Sequence, residues 1–241
     1  VLYEYGPDDR PHWSAYIRLR RPLIHPALKD DLDVTFAKDH RCEPVSTVVV
    51  DRLWRPDVAL HLAESLVARI RRSGARFVYA LDDDFLTLGK SRAPWLTEEH
   101  RQVVRYFLGE ADRVLVTTSE LERRFINHNS QIIVLPNALD ERLLPGFRLP
   151  VPFLENRLVV GYMGTPSHDD DLLMVRPALK AVARSYPGLV ELQIVGGICR
   201  SDTWASLQEL AWRPRMLDPL ESEYPLFMLW FASRMRWDIA L

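Results

Sequence analysis

Three consecutive carboxylates, Asp82, Asp83 and Asp84, follow the short apolar stretch Phe77–Leu81, which is typical of a buried strand. Carboxylate oxygens suit Mg²⁺ or Mn²⁺, so one interpretation is a metal site between Asp82 and Asp84 that holds a nucleotide diphosphate. A second interpretation places these carboxylates beside the hydroxyl group of an acceptor. In a third, they cap the next segment and bind nothing. The residues alone leave the three interpretations open.

A second group of candidates lies where two later strands end in glycine. Glycine lets a backbone approach a phosphate closely, and the N-terminus of a helix offers free N–H groups to an anion. The competing interpretation is that the acidic run Asp169–Asp171 already satisfies this helix end and repels a diphosphate. The glycine pair can likewise serve only to turn the chain. The candidate donor-binding residues are Gly161, Gly164, Thr165, His168, Gly196 and Gly197.

Two further candidates, Arg10 and His12, lie in the loop Gly6–Trp13. If Val1–Tyr5 forms a first strand, this loop is placed to contact an anion or a hydroxyl group of a substrate. The alternative is a surface loop without a ligand. Sequence alone does not assign a catalytic residue.

The composition narrows the class of protein. The chain has 241 residues, 47% of them hydrophobic, and a formal net charge of −2, so no basic field recruits nucleic acid. Its two cysteines, Cys42 and Cys199, have no metal-ligand spacing, so we expect no zinc site. No apolar run reaches the ~20 residues that span a bilayer, and we expect a cytoplasmic protein.

Arginines are clustered, at residues 18–21, 69–72 and 123–124. We interpret them as solvated helix faces. The alternative is attraction to anionic substrates or lipid headgroups, which leaves open a position at the inner face of the membrane.

Strands alternate with helices along the chain, which predicts parallel sheets covered on both faces. Helices are predicted at Pro56–Arg72, with Pro56 in the first turn, after the caps Thr97 and Ser119, from about Asp169, and at Pro225–Arg234. Strands are predicted at Val1–Tyr5, Asp33–Ala37, Thr47–Val50, Phe77–Leu81, Arg113–Thr117, Gln131–Leu135, Leu158–Tyr162, Val190–Val195 and Asp238–Leu241.

A proline-rich segment divides this alternation in two. Prolines at 145, 150 and 152 exclude a helix or a central strand, so we place a linker at residues 145–152. Residues 1–144 then form one α/β domain, and residues 153–241 form part of a second. Because the chain stops within its last predicted strand, we expect the second domain to be incomplete.

With the domains placed, the sequence resembles the GT-B glycosyltransferases, and among them the bacterial retaining enzymes that build surface polysaccharides. The segments that carry the resemblance, in order, are Ala111–Leu121, Ile133–Leu139, Val160–His168, Ile194–Gly197 and Trp237–Leu241. The resemblance covers about four fifths of the chain. It implies two Rossmann-like parallel-sheet domains facing a cleft, with the second domain truncated.

The resemblance also implies an activity, namely transfer of a sugar from a nucleotide-sugar donor to a glycan or lipid-linked acceptor. It implies that the second domain binds the donor, that the first domain faces the acceptor, and that no metal is needed. Two departures stand out. The arginine and lysine that often clamp the donor diphosphate are missing after the first strand of the second domain, and the paired-glutamate segment would lie after Leu241.

These departures keep two alternatives in view. One is a non-catalytic two-domain protein or a degenerate transferase that binds a ligand. The other is a GT-A-type metal-dependent transferase that uses Asp82 and Asp84.

Overall fold

A computed structural model gives the fold of the chain. It describes residues 1–89, 93–144, 146, 157–165, 168–198, 200–210, 212, 214–219 and 223–241. The chain divides into two compact units, Val1–Glu141 and Arg142–Leu241. The predicted linker, residues 145–152, lies outside the described residues except for Gly146.

The first unit is built on a parallel sheet whose strands follow one another in chain order, β1-β2-β3-β4. Its strands are β1 (Thr47–Asp51), β2 (Arg76–Leu81), β3 (Arg113–Val116) and β4 (Ile132–Val134). The connecting helices are α3 (Leu60–Arg72), α4 (Glu98–Glu110) and α5 (Ser119–Phe125). The predicted strand–helix alternation is confirmed in this unit.

Local sequence signals explain most of these boundaries. Gly74 adopts a φ of 74° just after α3, a conformation that glycine accepts without strain. Thr97 caps α4, because its hydroxyl accepts a hydrogen bond from the backbone N–H of His100 at 3.2 Å. The prediction for Pro56 is wrong, because α3 begins four residues later, at Leu60. The cap of α5 is Thr118 rather than Ser119.

The first 37 residues differ from the prediction. The predicted strands at Val1–Tyr5 and Asp33–Ala37 are reduced to isolated bridges, in which Leu2 pairs in parallel with Val50 and with Ala37. Residues 13–23, for which we predicted no element, are helical. They comprise α1 (Trp13–Ala15), a π-helical turn (Tyr16–Arg20) and α2 (Arg21–Leu23), followed by a short 3₁₀ turn (Pro26–Leu28).

The second unit contains another parallel sheet, in the order β7-β6-β5-β8. Its strands are β5 (Leu158–Gly164), β6 (Val190–Gly196), β7 (Arg215–Leu217) and β8 (Ile239–Ala240). Its helices are a 3₁₀ turn (Glu141–Leu143) at the boundary, α6 (Asp169–Ser185), α7 (Ser201–Gln208) and α8 (Tyr224–Arg234). No sequence pattern predicted β7 or α7.

Each unit has its own hydrophobic core. In the first, Phe107 of α4 packs against Phe77 and Tyr79 of β2, with ring centroids 5.6 and 5.1 Å apart. In the second, Leu192 and Ile194 of β6 are fully buried. Within the described residues, no helix is both long and apolar enough to cross a bilayer.

Candidate functional site

Three acidic side chains meet at the carboxyl edge of the first sheet. Asp51 is the last residue of β1, Asp82 follows β2, and Glu4 follows the bridge between Leu2 and β1. Because parallel strands end at the same edge, neighbouring strands bring these groups together. The backbone N–H of Glu4 donates to Asp51 Oδ2 at 3.2 Å.

Two arginines pair with these carboxylates. Arg18 Nη1 lies 3.1 Å from Asp51 Oδ1 and 3.2 Å from Asp82 Oδ1. Arg52 Nε lies 3.1 Å from Glu4 Oε2 and 3.5 Å from Asp82 Oδ1. We call these five residues (Glu4, Arg18, Asp51, Arg52 and Asp82) the charge cluster. Asp51 is fully buried and the Arg18 side chain is only 6% exposed, so these charges interact outside bulk water.

Unusual backbone geometry places both arginines. Arg18 lies in the π-helical turn, a rare element that is frequent at functional sites. Arg52 follows β1 directly and adopts a φ of 49°, in the left-handed region that non-glycine residues seldom occupy. Such strain costs about 1–3 kcal/mol and clusters at active sites and ligand clamps. The surrounding contacts of Arg52, including its ion pairs and its position 4.7 Å from the Phe85 ring centroid, hold it there.

Carboxylates outnumber guanidinium groups here. Asp83, at the rim, lies 3.5 Å from Arg52 Nη2 and brings the number of carboxyl groups near the two arginines to four. Burial, together with the nearby carboxylates of Glu4 and Asp82, raises the pKa of Asp51 to about 7, although Arg18 acts in the opposite direction. Burial also raises the pKa of Glu4. The cluster therefore holds a proton at or near neutral pH.

Several buried polar atoms of this region lack hydrogen bonds within the part of the chain that the structure describes. They are Glu4 Oε2, Arg52 Nε, Asp82 Oδ1 and, on β2, the hydroxyl of Tyr79. The first three have opposite charges nearby but poor hydrogen-bond alignment.

The three predicted aspartates have different surroundings. Asp82 belongs to the charge cluster, and Asp83 is half-exposed at its rim. Asp84 accepts hydrogen bonds from the backbone of Leu86 and from Arg124, as a turn-capping residue does. Asp82 and Asp84 thus face different partners, Asp82 the two arginines of the cluster and Asp84 Arg124. Among the described residues, no group of three or more acidic, His or Cys side chains has an arrangement that could hold a metal ion.

Of the other two acceptor-side candidates, His12 contacts the charge cluster and Arg10 lies on an exposed turn. The backbone N–H of His12 donates to the carbonyl of Glu4 at 3.0 Å. Partial burial and the positive charge of Arg52 lower the pKa of His12, which favours a neutral imidazole. Arg10 is well exposed on the preceding turn, where it pairs loosely with Asp8 at 3.9 Å.

A pocket of about 140 Å³ adjoins the charge cluster at the ends of β2, β3 and β4. Arg18 is part of its lining. One wall comes from the π-helical turn and α2, and the other from residues 135–138 after β4. All of the lining residues belong to the first unit.

In the second unit, the predicted donor-binding glycines pack closely against the protein itself. A Cβ on Gly161 would lie 1.7 Å from the Trp237 ring. Gly164 pairs with Gly196 in register, and a Cβ on Gly196, whose φ is 98°, would lie 2.0 Å from the Gly164 carbonyl oxygen. Sheet packing therefore already requires glycine at positions 161 and 196.

The remaining donor-side candidates lie at the carboxyl ends of β5 and β6. The backbone N–H of His168 donates to the carbonyl of Thr165 at 3.0 Å, and its ring Nδ1 lies 2.7 Å from Asp171 Oδ2. Gly197 directly follows β6 and is partly exposed. The acidic start of α6 has a basic partner that the sequence did not indicate, since Arg200 donates to Asp170 at 2.8 Å.

Sequence reasoning missed most of the charge cluster. It named Asp82 but not Glu4, Arg18, Asp51 or Arg52. The interpretation of Arg18 as part of a solvated helix face is wrong, because the side chain is buried between two carboxylates. One usable signal was present, since Asp51 ends a β-branched strand in the same way that Asp82 follows β2.

Comparisons with known proteins show which fold the two units have. No protein-family model matches the chain, and no curated protein matches it. Among solved structures, the chain is similar to apo OtsA, with a TM-score of 0.51 and 14% identity over 81% of this chain and 52% of that chain. A second structure, of the trehalose-6-phosphate synthase OtsA, gives a TM-score of 0.51 and 14% identity over 80% and 50% of the two chains.

A lipopolysaccharide outer core galactosyltransferase, WaaB in apo form, matches at a TM-score of 0.40, with 17% identity over 72% of this chain and 44% of that chain. The chain spans about half the length of the OtsA structures. Since OtsA is a GT-B glycosyltransferase, the two parallel-sheet units of this chain have the GT-B glycosyltransferase fold.

Proposed function

We propose that the protein is a glycosyltransferase that moves a sugar from a nucleotide-sugar donor to a glycan or lipid-linked acceptor in surface-polysaccharide synthesis. The observation that carries the proposal is the GT-B fold with a buried charge cluster at the carboxyl edge of its first sheet. In open α/β sheets, ligands bind at this edge. Fold alone does not fix function, so the proposal depends on the site as well.

We place the acceptor at the first unit. Asp83 is half-exposed, and Asp82 is 17% exposed at the mouth of the cluster, so both are accessible to a hydroxyl group. A carboxylate within hydrogen-bond reach can take the proton that an attacking hydroxyl loses. The lowered pKa of His12 favours its neutral form. His12 and Arg10 are the further proposed contacts with the acceptor.

The buried members of the cluster position these groups. Asp51 is sealed from solvent and cannot touch a substrate, but it fixes the guanidinium of Arg18. Arg18 and Arg52 in turn hold Asp82 from two sides. Charges held in place in this way stabilise a developing charge without having to reorganise during the reaction.

We place the donor at the second unit, near the carboxyl ends of β5 and β6. The loop residues Thr165, His168 and Gly197 are the proposed contacts, together with the backbone at Gly164 and Gly196. Gly161 supports the strand through its packing against Trp237. The proposed transfer uses no metal, retains the configuration of the sugar, and takes place in the cytoplasm, with peripheral association at the inner membrane face.

One observation favours a second candidate, a binding protein without transferase activity. Arg200 is the basic residue that the fold brings to the start of α6, and it is engaged with Asp170 and lies 3.8 Å from Asp169. A diphosphate would have to compete with these carboxylates for Arg200.

Titration calorimetry with UDP-, GDP- and dTDP-glucose measures whether the protein binds a nucleotide-sugar, as both candidate functions require. We expect one nucleotide to bind, and we expect His168→Ala to weaken that binding. His128→Ala, an exposed histidine of the first unit, is the matched control and should leave the affinity unchanged. If none of the nucleotide-sugars binds, the transferase proposal is wrong.

Turnover then separates a transferase from a binding protein. Release of nucleoside diphosphate in the presence of acceptor should fall at least tenfold in Asp83→Asn, which keeps the shape of the side chain but removes its charge. Asp57→Asn, an exposed control, should retain full turnover. Binding without any release would support the second candidate.

A further inference from the structure

The pocket beside the charge cluster has an aliphatic lining. Its walls include Ile17, Leu19, Leu115, Leu135 and Pro136, and the described residues of the lining contribute no aromatic ring and no carboxylate. Sugars are usually held by several polar groups, and here the polar side chains are those of Arg18 and Asn137 alone. We call this cavity the aliphatic pocket. Its surface fits an alkyl group better than a sugar ring.

Two polar contacts join the two walls of the aliphatic pocket. Arg21 Nε of α2 lies 2.5 Å from Asp140 Oδ2, and His25 Nε2 lies 2.9 Å from Glu141 Oε1. These contacts tie the segment around the π-helical turn to the segment after β4, so the pocket is largely formed before a ligand enters. Leu135, which lines the pocket, keeps 57% of its surface exposed. Large apolar side chains at the mouth of a cavity often mark a binding site.

Arg18 supplies the polar end of the aliphatic pocket. Within the described part of the chain, Nη1 is the Arg18 nitrogen that donates a hydrogen bond, to Asp51 Oδ1, so the other N–H groups of Arg18 have donor capacity left. An anionic ligand would be disfavoured, because four carboxyl groups (Glu4, Asp51, Asp82 and Asp83) already face two guanidinium groups. An uncharged oxygen, such as a hydroxyl or ether oxygen, fits this position.

We propose that the aliphatic pocket binds an alkyl chain of about six carbon atoms, attached to an uncharged polar group that Arg18 contacts. A cavity of about 150 Å³ holds a benzene molecule, which has six carbon atoms. The aliphatic pocket, at about 140 Å³, therefore has room for about six carbon atoms of an alkyl chain. The inference rests on the proposed function in one respect, namely that the alkyl chain belongs to the acceptor. It selects a lipid-type acceptor over a bare glycan.

The test uses n-alkyl β-D-glucopyranosides, from ethyl to octyl, titrated calorimetrically into the protein without any donor. We expect affinity to rise up to about fourfold per methylene, as for burial in an apolar site, and to level off near hexyl. Ala138→Leu, at the exposed lip of the pocket, should shift the plateau to a shorter chain.

A matched pair of leucines provides the control. Leu135→Ser removes part of the pocket wall and should reduce the gain per methylene to about twofold or less. Leu139→Ser changes a leucine of similar exposure, 65%, that does not line the pocket, and should leave the series unchanged. Because both leucines are exposed, neither change threatens folding.

The outcomes separate this inference from the proposed function. An affinity that does not depend on chain length, or that responds equally to both leucine variants, overturns the inference even if nucleotide-sugars bind. The inference is supported if the affinity depends on chain length, and if Leu135→Ser and Ala138→Leu alter this dependence while Leu139→Ser does not. If the alkyl glucosides bind in this way but no nucleotide-sugar binds, the inference about the aliphatic pocket is correct and the transferase proposal is wrong.

Discussion

Replacing Asp51 with asparagine should remove a pH dependence from the stability of the first unit. The carboxyl of Asp51 is fully buried, and its pKa in the folded protein is about 7, against an ordinary value of 3.8. The folded state therefore keeps a proton that the unfolded chain has already released. The resulting stabilisation is complete below pH 3.8 and is lost as the pH rises to about 7.

The size of the effect follows from the two pKa values. A rise from 3.8 to about 7 corresponds to about 4 kcal/mol between the extremes. About three fifths of this free energy lies above pH 5, where the protein can be studied without protonating its surface carboxylates. The stability of the native protein relative to Asp51→Asn should thus fall by roughly 3 kcal/mol from about pH 5 to pH 8.

Urea unfolding at several pH values, followed by hydrogen exchange of peptides that cover β1 and β2, measures this difference locally. Asp57→Asn is the control, because a hydrogen bond from Arg55 lowers the pKa of this exposed carboxyl. Its contribution has the opposite sign and is lost as the pH falls. If native protein and Asp51→Asn lose stability in parallel across this range, Asp51 is ionised throughout and the reasoning fails.

Two further changes test the packing of the units. At pH 8, where Asp51 is ionised, Arg18→Met leaves this buried carboxylate without its positive partner and should cost about 3–5 kcal/mol in urea unfolding, whereas the surface change Arg55→Met should cost less than about 1 kcal/mol. Equal costs would mean that the Arg18 pairs contribute no more than surface pairs. Gly161→Ala drives a methyl group into Trp237 and should lower the melting temperature of the second unit, and Trp237→Ala in the same chain should relieve much of this loss in a double-mutant cycle. Simple additivity of the two changes would show that this contact is not the cause.

The sheets could be predicted from the sequence because their signals are local. Runs of β-branched and aromatic residues gave β1 and β2, Gly74 gave the end of α3, and Thr97 gave the start of α4. Such features depend on residues within one turn or one strand of each other. Pro56 misled the prediction because a proline suited to a first helical turn also suits an ordinary turn.

The charge cluster could not be predicted in the same way, because its members are far apart in sequence. Arg18 reaches Asp51 over 33 positions, and Glu4 contacts the same carboxylate over 47. The interval that holds Arg18 has no strong helical pattern, and its π-helical turn owes its shape to packing and ion pairs. A cluster of arginines therefore suggested a solvated helix face, although Arg18 is buried and Arg20 lies 4.8 Å from the ring centroid of Tyr3.

The two sheets use their carboxyl edges in different ways, and this difference bears on where chemistry is to be sought. In the second unit, the glycines fit against Trp237 and against each other, and Arg200 neutralises the acidic start of α6. In the first unit, the edge keeps polar atoms that have no hydrogen bond to any described residue, a strained arginine and a carboxyl that holds a proton near neutral pH. Such features cost stability, and a fold retains them where a ligand or a reaction makes use of them. The first sheet is therefore where substitutions should separate activity from folding, with Asp83→Asn as the change that alters charge and leaves the core intact.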